Sequence, residues 1–242
     1  MNTLLLHCRA GFESEVCSEI SELAARLDVA GYAKAKANSA CAEFICSDAQ
    51  GAQQLMRGQR FGKLIFPRQW ARGSFIELPE TDRISVLLAH LASYPVCGSL
   101  WLEVLDTNDG KELSNFCKKF EAPLRKALLK AGKLLDDPSK PRLLLTFKSG
   151  REVFVGLAEA NNCAMWPMGI PRLRFPREAP SRSTLKLEEA WHHFIPRDDW
   201  DKRLAPGMTA VDLGAAPGGW TWQLVNRQIR VIAVDNGPMA ED

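Results

Sequence analysis

The chain has 242 residues, of which 46% are apolar and 25% are charged. These values are typical of globular proteins and exclude a disordered chain, and the length allows one large domain or two ordinary ones. No apolar run approaches the roughly 18 residues of a membrane span. The leucines near the N-terminus are too few for a signal peptide. The sequence therefore predicts a soluble, cytoplasmic protein without a membrane partner.

The seven cysteines are scattered along the chain, and none has the spacing of a metal-ligand pair. An odd number of scattered cysteines in a chain of this size is typical of buried thiols in a reducing compartment. We therefore expect small core residues rather than a metal or redox site.

Short apolar runs and amphipathic stretches alternate through the first two thirds of the chain. Val16, Ile20 and Leu23, for example, recur at the spacing of one helix face. Interleaved strands and helices predict an α/β or α+β class. The predicted elements are strands at 4–8, 32–36, 41–46, 100–105, 142–147 and 153–158, helices at 13–27 and 82–91, and a further apolar run at 63–70.

The small net charge of +2 hides one strongly basic segment. Residues 111–151 contain 11 Lys and Arg but only 4 Asp and Glu, a net charge of +7. Apolar residues recur there at helical spacing, and Pro123 is expected to break or kink the helix. Clustered cations suit phosphate binding, because they displace condensed counterions, although a solvated helix face explains the pattern as well. The cations off the apolar stripe are Lys118, Lys119, Arg125, Lys126 and Lys130.

The composition changes at 167–180, where four prolines occur at 167, 171, 176 and 180. Because each lacks a backbone donor and restricts the residue before it, they predict an extended connector at 167–180. It would separate a region at 1–166 from a domain that begins at 181. A helix is predicted next, capped by Ser183 or Thr184. Its expected apolar face consists of Leu187, Ala190, Trp191 and Phe194.

The most informative segment follows, with the sequence Val-Asp-Leu-Gly-Ala-Ala-Pro-Gly-Gly-Trp-Thr at 211–221. It predicts a buried strand, a turn of small residues and a helix at 220–226, before a second strand that ends in Asp235. This is half of a nucleotide-binding βαβ unit. Glycines let a ligand approach the backbone, and an acid 23 residues after Asp212 can accept both hydroxyls of an adenosine ribose.

The turn is not of the Gly-x-Gly-x-x-Gly type, which disfavours pyrophosphate binding. It suits an adenosine ligand without phosphates that carries a sulfonium and an amino-acid tail. A strand, turn and helix without any ligand is the alternative interpretation.

Two motifs resemble the FtsJ-type ribose methyltransferases: Ser-Arg-Ser-Thr-Leu-Lys-Leu-Glu-Glu-Ala at 181–190, and the strand and turn that begin at Val211. The more specific resemblance is to the RlmM family of 23S rRNA cytidine 2′-O-methyltransferases. It extends over the whole chain, through the segments at 9–13, 64–70, 111–120, 168–176 and 234–240.

The resemblance implies an α/β fold in which an N-terminal ferredoxin-like part and THUMP region precede the beginning of a Rossmann-like methyltransferase domain. It implies S-adenosyl-L-methionine as cofactor and 23S rRNA, not DNA, as partner, and the basic segment 111–151 is the expected contact. The residues matched to the cofactor site are Ser183, Ala216, Pro217, Gly218, Gly219 and Asp235.

FtsJ-type enzymes use a Lys-Asp-Lys-Glu catalytic tetrad, and Lys186 matches its first lysine. The other three members, including the lysine proposed as proton acceptor, belong to motifs that would follow Asp242. We therefore expect the chain as given to be inactive. It also supplies only two strands of the second sheet, which predicts an exposed edge and too little core for that part to be stable alone.

Three other functions stay open at this point. The chain could be an RNA-binding module with an incomplete, inactive nucleotide-binding fold, which would bind RNA but no S-adenosylmethionine. A Rossmann oxidoreductase would bind NAD instead. A base methyltransferase would need a catalytic motif that residues 1–242 do not contain.

Overall fold

The computed structural model describes residues 1–240. Contacts divide the chain into two compact units, Met1–Ile170 and Pro171–Asp242, each of which is described by itself. The boundary between the units falls inside the segment predicted as a connector. The predicted limits of the domains stay a prediction.

The first unit is built on a seven-stranded sheet with the strand order β2-β3-β1-β4-β7-β6-β5. Neighbouring strands are antiparallel except β5 and β6, which are parallel. Up to β4 the elements follow the β-α-β-β-α-β order of a ferredoxin-like fold. The strands are β1 Thr3–His7, β2 Gly31–Ala35, β3 Cys41–Cys46, β4 Gln69–Glu77, β5 Ser99–Val104, β6 Arg142–Phe147 and β7 Glu152–Ala158, and the helices are α1 Glu13–Arg26, α2 Gly51–Gly58, α3 Arg83–His90 and α4 Asn108–Lys130.

Two hydrophobic clusters hold this unit together. In the first, α1 and α2 pack on β1 and β3 around Leu4, Ile20, Phe44 and Trp70. In the second, α3 and α4 cover β5, β6 and β7. The seven cysteines are all free thiols, and five of them are buried, as the sequence predicted.

The predicted strands and helices of the first unit are confirmed to within about two residues, with three exceptions. The helix α2 was not predicted. Strand β4 begins only where the predicted apolar run ends, so that run is mostly a loop that follows a short 3-10 turn at Phe61–Lys63. The sequence predicted a break or a kink at Pro123, and a break is wrong, since α4 runs through it. Pro123 is exposed, where water can satisfy the carbonyl that loses its helical donor.

A polar network lies within the core of the first unit. His7 Nε2 is 3.0 Å from Thr146 Oγ1 and 3.6 Å from Glu103 Oε2. The Met168 N–H donates to Glu103 Oε1 at 2.6 Å, whereas Oε2 is buried without a hydrogen-bond partner in the described structure. Burial raises the pKa of Glu103 to about 7 and lowers the pKa of His7 to about 4.

Replacing Glu103 with glutamine is expected to stabilise this unit at pH 8. Because the folded-state pKa of Glu103 is raised, its favourable contribution is complete at low pH and is lost as the pH rises through 7. The variant should therefore exceed the wild type in free energy of unfolding by about 1–3 kcal/mol at pH 8, and by less at pH 5. Urea unfolding at both pH values measures this, with the exposed Glu77→Gln as control. A variant that is less stable at pH 8 would contradict the prediction.

The second unit places a parallel pair of strands beside three helices. The strands β8 and β9 pair from Thr209↔Arg230 to Leu213↔Val234, and a helix connects them. Trp191, Trp200, Leu204 and Ile229 form its small core. The elements are α5 Thr184–Phe194, α6 Trp200–Arg203, β8 Thr209–Leu213, α7 Gly219–Val225 and β9 Arg230–Val234.

Three predictions for this unit need correction. Ser183 is the N-cap residue of α5, as one of the two predicted candidates, but its side chain makes no capping hydrogen bond, because its hydroxyl pairs with Ser181 Oγ at 2.6 Å. Phe194 is 81% exposed and is not part of the apolar face, although Trp191 is buried. Strand β8 was expected to be buried, but Leu213 is 76% exposed, since β8 pairs with β9 alone in residues 1–240.

Candidate functional site

The turn between β8 and α7 is shaped by two glycines with left-handed backbone. Gly214 has a φ of +77° and Gly218 a φ of +108°, and β-carbons are disfavoured at both. The Gly218 N–H donates to Ala215 O at 2.6 Å, which closes the turn. The Ala216-Pro217 peptide bond within it is cis. Residues 214–219, called the glycine turn below, therefore carry only small side chains or none, and Gly214 and Pro217 are exposed while Gly218 and Gly219 are buried.

Asp235 follows β9 and holds the glycine turn through its carboxylate. Its Oδ2 accepts from the Ala216 N–H at 2.8 Å, and its Oδ1 accepts from the Gly237 N–H at 2.7 Å. These two hydrogen bonds lower the pKa of Asp235. Each oxygen keeps another lone pair, so the exposed carboxylate can accept further hydrogen bonds from a ligand.

The segment before α5 closes over Gly219. A β-carbon on Gly219 would collide with Ser183 Oγ, and it would lie 2.5 Å from Ser181 Oγ and 3.1 Å from the Thr184 N. A larger residue fits there only if both serine hydroxyls rotate away and the Thr184 backbone shifts. The glycine turn and the start of α5 are therefore packed against each other.

The indole of Trp220 adds a second link between these segments. Its Nε1–H donates to Ser183 O at 3.1 Å, and the same carbonyl accepts the Lys186 backbone N–H at 3.0 Å. The backbone of Lys186 therefore lies one helical turn from Ser183, the residue that contacts the glycine turn. Its side chain is exposed, and within residues 1–240 no ion pair engages its ammonium group.

The packing of the turn involves residues that were not predicted as site residues. The Thr221 hydroxyl donates to Asp212 Oδ2 at 2.7 Å, and this links the end of β8 to the first turn of α7. Asp212 is only 5% exposed, so it is a structural partner. Trp220 was also missed, and its only signal was an aromatic residue directly after the Gly-Gly pair.

The predicted site residues meet in one place. Ser183 and Gly219 are in contact, Asp235 is hydrogen bonded to Ala216, and Pro217 and Gly218 complete the same turn. The arrangement offers an exposed carboxylate beside a turn with little steric bulk. The carboxylate can accept hydrogen bonds from a diol such as that of a ribose.

Comparison with known proteins matches this chain to one family from end to end. The profile of the RlmM ferredoxin-like domain matches residues 1–71, the N-terminal profile of ribosomal RNA large subunit methyltransferase M matches 82–159, and the FtsJ-like methyltransferase profile matches 179–242. The protein of that name from Ectopseudomonas mendocina (strain ymp) is 82% identical over all of this chain and 69% of its own length. The chain belongs to the RlmM family.

The relative from Pseudomonas fluorescens (strain SBW25), also named ribosomal RNA large subunit methyltransferase M, is 80% identical over all of this chain and 67% of its own length. Among solved structures, TrmN from Thermus thermophilus aligns with a TM-score of 0.40 and 19% identity, covering 97% of this chain and 65% of that one. The family profiles confirm the resemblance and the α/β fold class.

The predicted basic segment divides into exposed cations and cations with structural contacts. Arg125 donates to Glu121 Oε1 at 3.1 Å and to Leu100 O at 3.2 Å. Lys133 Nζ donates to two main-chain carbonyls, those of Ala92 and Tyr94. The positive surface of α4 therefore consists of its exposed lysines, Lys111, Lys118, Lys119, Lys126 and Lys130.

In the part of the chain that the structure describes, no helix is long and apolar enough to span a membrane. Over the same residues, no group of three or more His, Cys, Asp and Glu side chains is placed to bind a metal ion.

Proposed function

We propose that the protein is an S-adenosylmethionine-dependent methyltransferase that acts on a cytidine ribose 2′-hydroxyl of 23S rRNA in the cytoplasm. The observation that supports this most is the glycine turn tied to Asp235, in a chain 82% identical to a protein named ribosomal RNA large subunit methyltransferase M. The cytidine and the ribose oxygen come from the family resemblance.

The residues present suit the nucleoside part of the cofactor. Asp235 would accept the ribose hydroxyls, and Ala216, Pro217, Gly218 and Gly219 would line the approach to the backbone. The Ser183 hydroxyl, held 2.6 Å from Ser181 Oγ, would contribute a polar group from the other side of Gly219. When bound, S-adenosylmethionine supplies a methyl group on a positively charged sulfur.

The role of Lys186 is to hold the acceptor hydroxyl. Methyl transfer is an in-line displacement, so the ribose oxygen must be placed accurately while its proton leaves to a base. An ammonium group beside that oxygen orients it and stabilises the negative charge that develops. The exposed lysines of α4 would bind phosphates of the RNA, as clustered cations do.

The test measures cofactor binding in a version of the protein that spans the length of its relatives. Asp235→Asn is expected to raise the Kd for S-adenosylmethionine about 10- to 100-fold, because a charged hydrogen-bond acceptor is lost. Asp198→Asn, an exposed acid of the same unit, should leave the Kd unchanged. Isothermal titration calorimetry provides both constants.

Methylation of the RNA is mapped in parallel by reverse-transcription stops on 23S rRNA from a deletion strain, with and without the gene restored. Loss of one 2′-O-methyl cytidine in the deletion strain would support the proposal. Binding of RNA without any binding of S-adenosylmethionine by the wild type would instead favour an RNA-binding module with an inactive nucleotide fold.

A further inference from the structure

A cleft of about 540 Å³ lies in the first unit, between the β2–β3 hairpin and the start of α4. Its volume is within the range of about 300–1,000 Å³ that is usual for small-molecule sites. It is large enough for one nucleotide and far too small for a duplex. None of the residues assigned to the methyl-transfer site lines this cleft.

Two lysines of the cleft are held in place by one carboxylate. Lys34 Nζ is 3.2 Å from Glu43 Oε2, and Lys148 Nζ is 2.8 Å from Glu43 Oε1. The Glu43 side chain is only 12% exposed, so it is a fixed anchor. An ammonium group has three donors, so Lys34 keeps two N–H groups for a ligand, while Lys148, whose Nζ also lies 3.8 Å from the centre of the Phe75 ring, keeps at least one.

A third lysine, Lys36, lines the same cleft and has no ion-pair partner among residues 1–240. It is two residues after Lys34, a spacing that places both side chains on one side of an extended chain. Of the residues that line the cleft, Lys34, Lys36 and Lys148 are positive and Glu43 and Asp109 are negative, which gives a net charge of +1. That charge matches a phosphodiester, which carries one negative charge, better than a free nucleotide, which carries two or more.

The rest of the lining suits a nucleoside. Leu105 and Ala35 offer apolar surface, on which a base can lie. Asn38 belongs to the hairpin turn and Asn108 to the first turn of α4, so side-chain amides line the cleft from both of its sides. Amides donate and accept hydrogen bonds, as reading the edge of an unpaired base requires.

We propose that this cleft holds one unpaired nucleotide of the RNA substrate, with its phosphodiester at the three lysines and its base between the hairpin and α4. The proposal rests on the proposed function for the identity of the polymer as RNA. The cleft would bind a single-stranded part of the substrate, whereas the exposed lysines of α4 would contact phosphates of single-stranded or double-stranded RNA.

The test compares Lys36→Gln with Lys63→Gln in a protein as long as its relatives. Lys63 is an exposed lysine of the same unit outside the cleft, so both variants lose one charge. The probe is a mixed-sequence RNA decamer, used single-stranded and annealed to its complement, and Kd is measured by fluorescence anisotropy at several salt concentrations. Lys36→Gln should weaken single-strand binding about fivefold and reduce the salt slope by about 0.7, the value for one phosphate contact.

Duplex binding should not change in Lys36→Gln, and Lys63→Gln should match the wild type on both probes. Cytidine monophosphate should not compete with the decamer at equal phosphate concentration, which separates a polymer site from a free-nucleotide site. The proposal would be overturned if both variants lost the same affinity for the single strand, or if Lys36→Gln lost as much affinity for the duplex. Competition by the free nucleotide, or displacement of the decamer by an acidic peptide, would overturn it as well.

The Kd for S-adenosylmethionine, measured on the same samples, separates this proposal from the proposed function. If the wild type binds no cofactor but Lys36→Gln weakens binding of the single-stranded decamer, the cleft proposal stands and the proposed methyltransferase function is rejected. If the wild type binds cofactor and methylates rRNA, but Lys36→Gln binds the decamer as the wild type does, only the cleft proposal is rejected.

Discussion

Gly219→Val should weaken binding of S-adenosylmethionine by about 100-fold, because the added side chain displaces the glycine turn and a loss of about 2.8 kcal/mol in binding free energy raises the Kd by that factor. The added side chain would collide with Ser183 Oγ and crowd the Thr184 backbone, so the segment before α5 must move away from the glycine turn. Calorimetric titration of a protein as long as the relatives gives the Kd.

The control for this variant is Gly62→Val. A β-carbon at Gly62 meets no atom within 4 Å, so the same change in side-chain volume should be harmless there. Far-UV circular dichroism checks that both proteins are folded. Normal cofactor binding by a folded Gly219→Val variant would show that this glycine turn is not the cofactor site.

Lys186→Met should lower the rate of methyl transfer by at least about 100-fold while the Kd for S-adenosylmethionine stays within about twofold, as expected for loss of a group that acts on the reacting oxygen. Lys186 is exposed and begins one turn after Ser183, so its side chain contributes little to folding. In a protein as long as its relatives, single-turnover transfer of labelled methyl groups to undermethylated 23S rRNA measures the rate apart from binding and product release.

Lys202→Met is the matched control, because Lys202 is an exposed lysine of α6 in the same unit. It should retain the wild-type rate. If Lys186→Met kept the wild-type rate, or lost activity only through a raised cofactor Kd, the role assigned to Lys186 would be wrong.

The sequence predicted local structure well wherever the signal was local. Strands β3 and β6 have the predicted bounds, because each is a short apolar run between turn residues. Helix α2 was missed, since Gly51 and Gly58 at its ends are poor helix formers and tertiary packing of Leu55 and Met56 decides the outcome. Strand β4 was missed beyond Trp70 because Arg72, Gly73 and Ser74 interrupt its apolar pattern.

The candidate site shows the same limit. The small residues at 216–219 and the acid at 235 follow a pattern that is visible in the sequence. The close contact between Gly219 and Ser183 is not visible in the sequence, because 36 positions separate them and only the fold brings them together. For the same reason the hydrogen bond from Trp220 could not be predicted, nor could the division of the basic residues into exposed cations and cations bound to carbonyls.

The carbonyl of Ser183 receives two donors, the indole of Trp220 from one side and the main chain of Lys186 from the other. A rearrangement of the glycine turn, where the cofactor is proposed to bind, would therefore be transmitted to Lys186 through one shared oxygen atom. Cofactor binding at the glycine turn and the position of Lys186 would then be thermodynamically linked, so that ordering one favours ordering of the other. The ammonium group of Lys186 would then be held most firmly in place when the glycine turn is also ordered, so cofactor binding and placement of the acceptor hydroxyl would support each other.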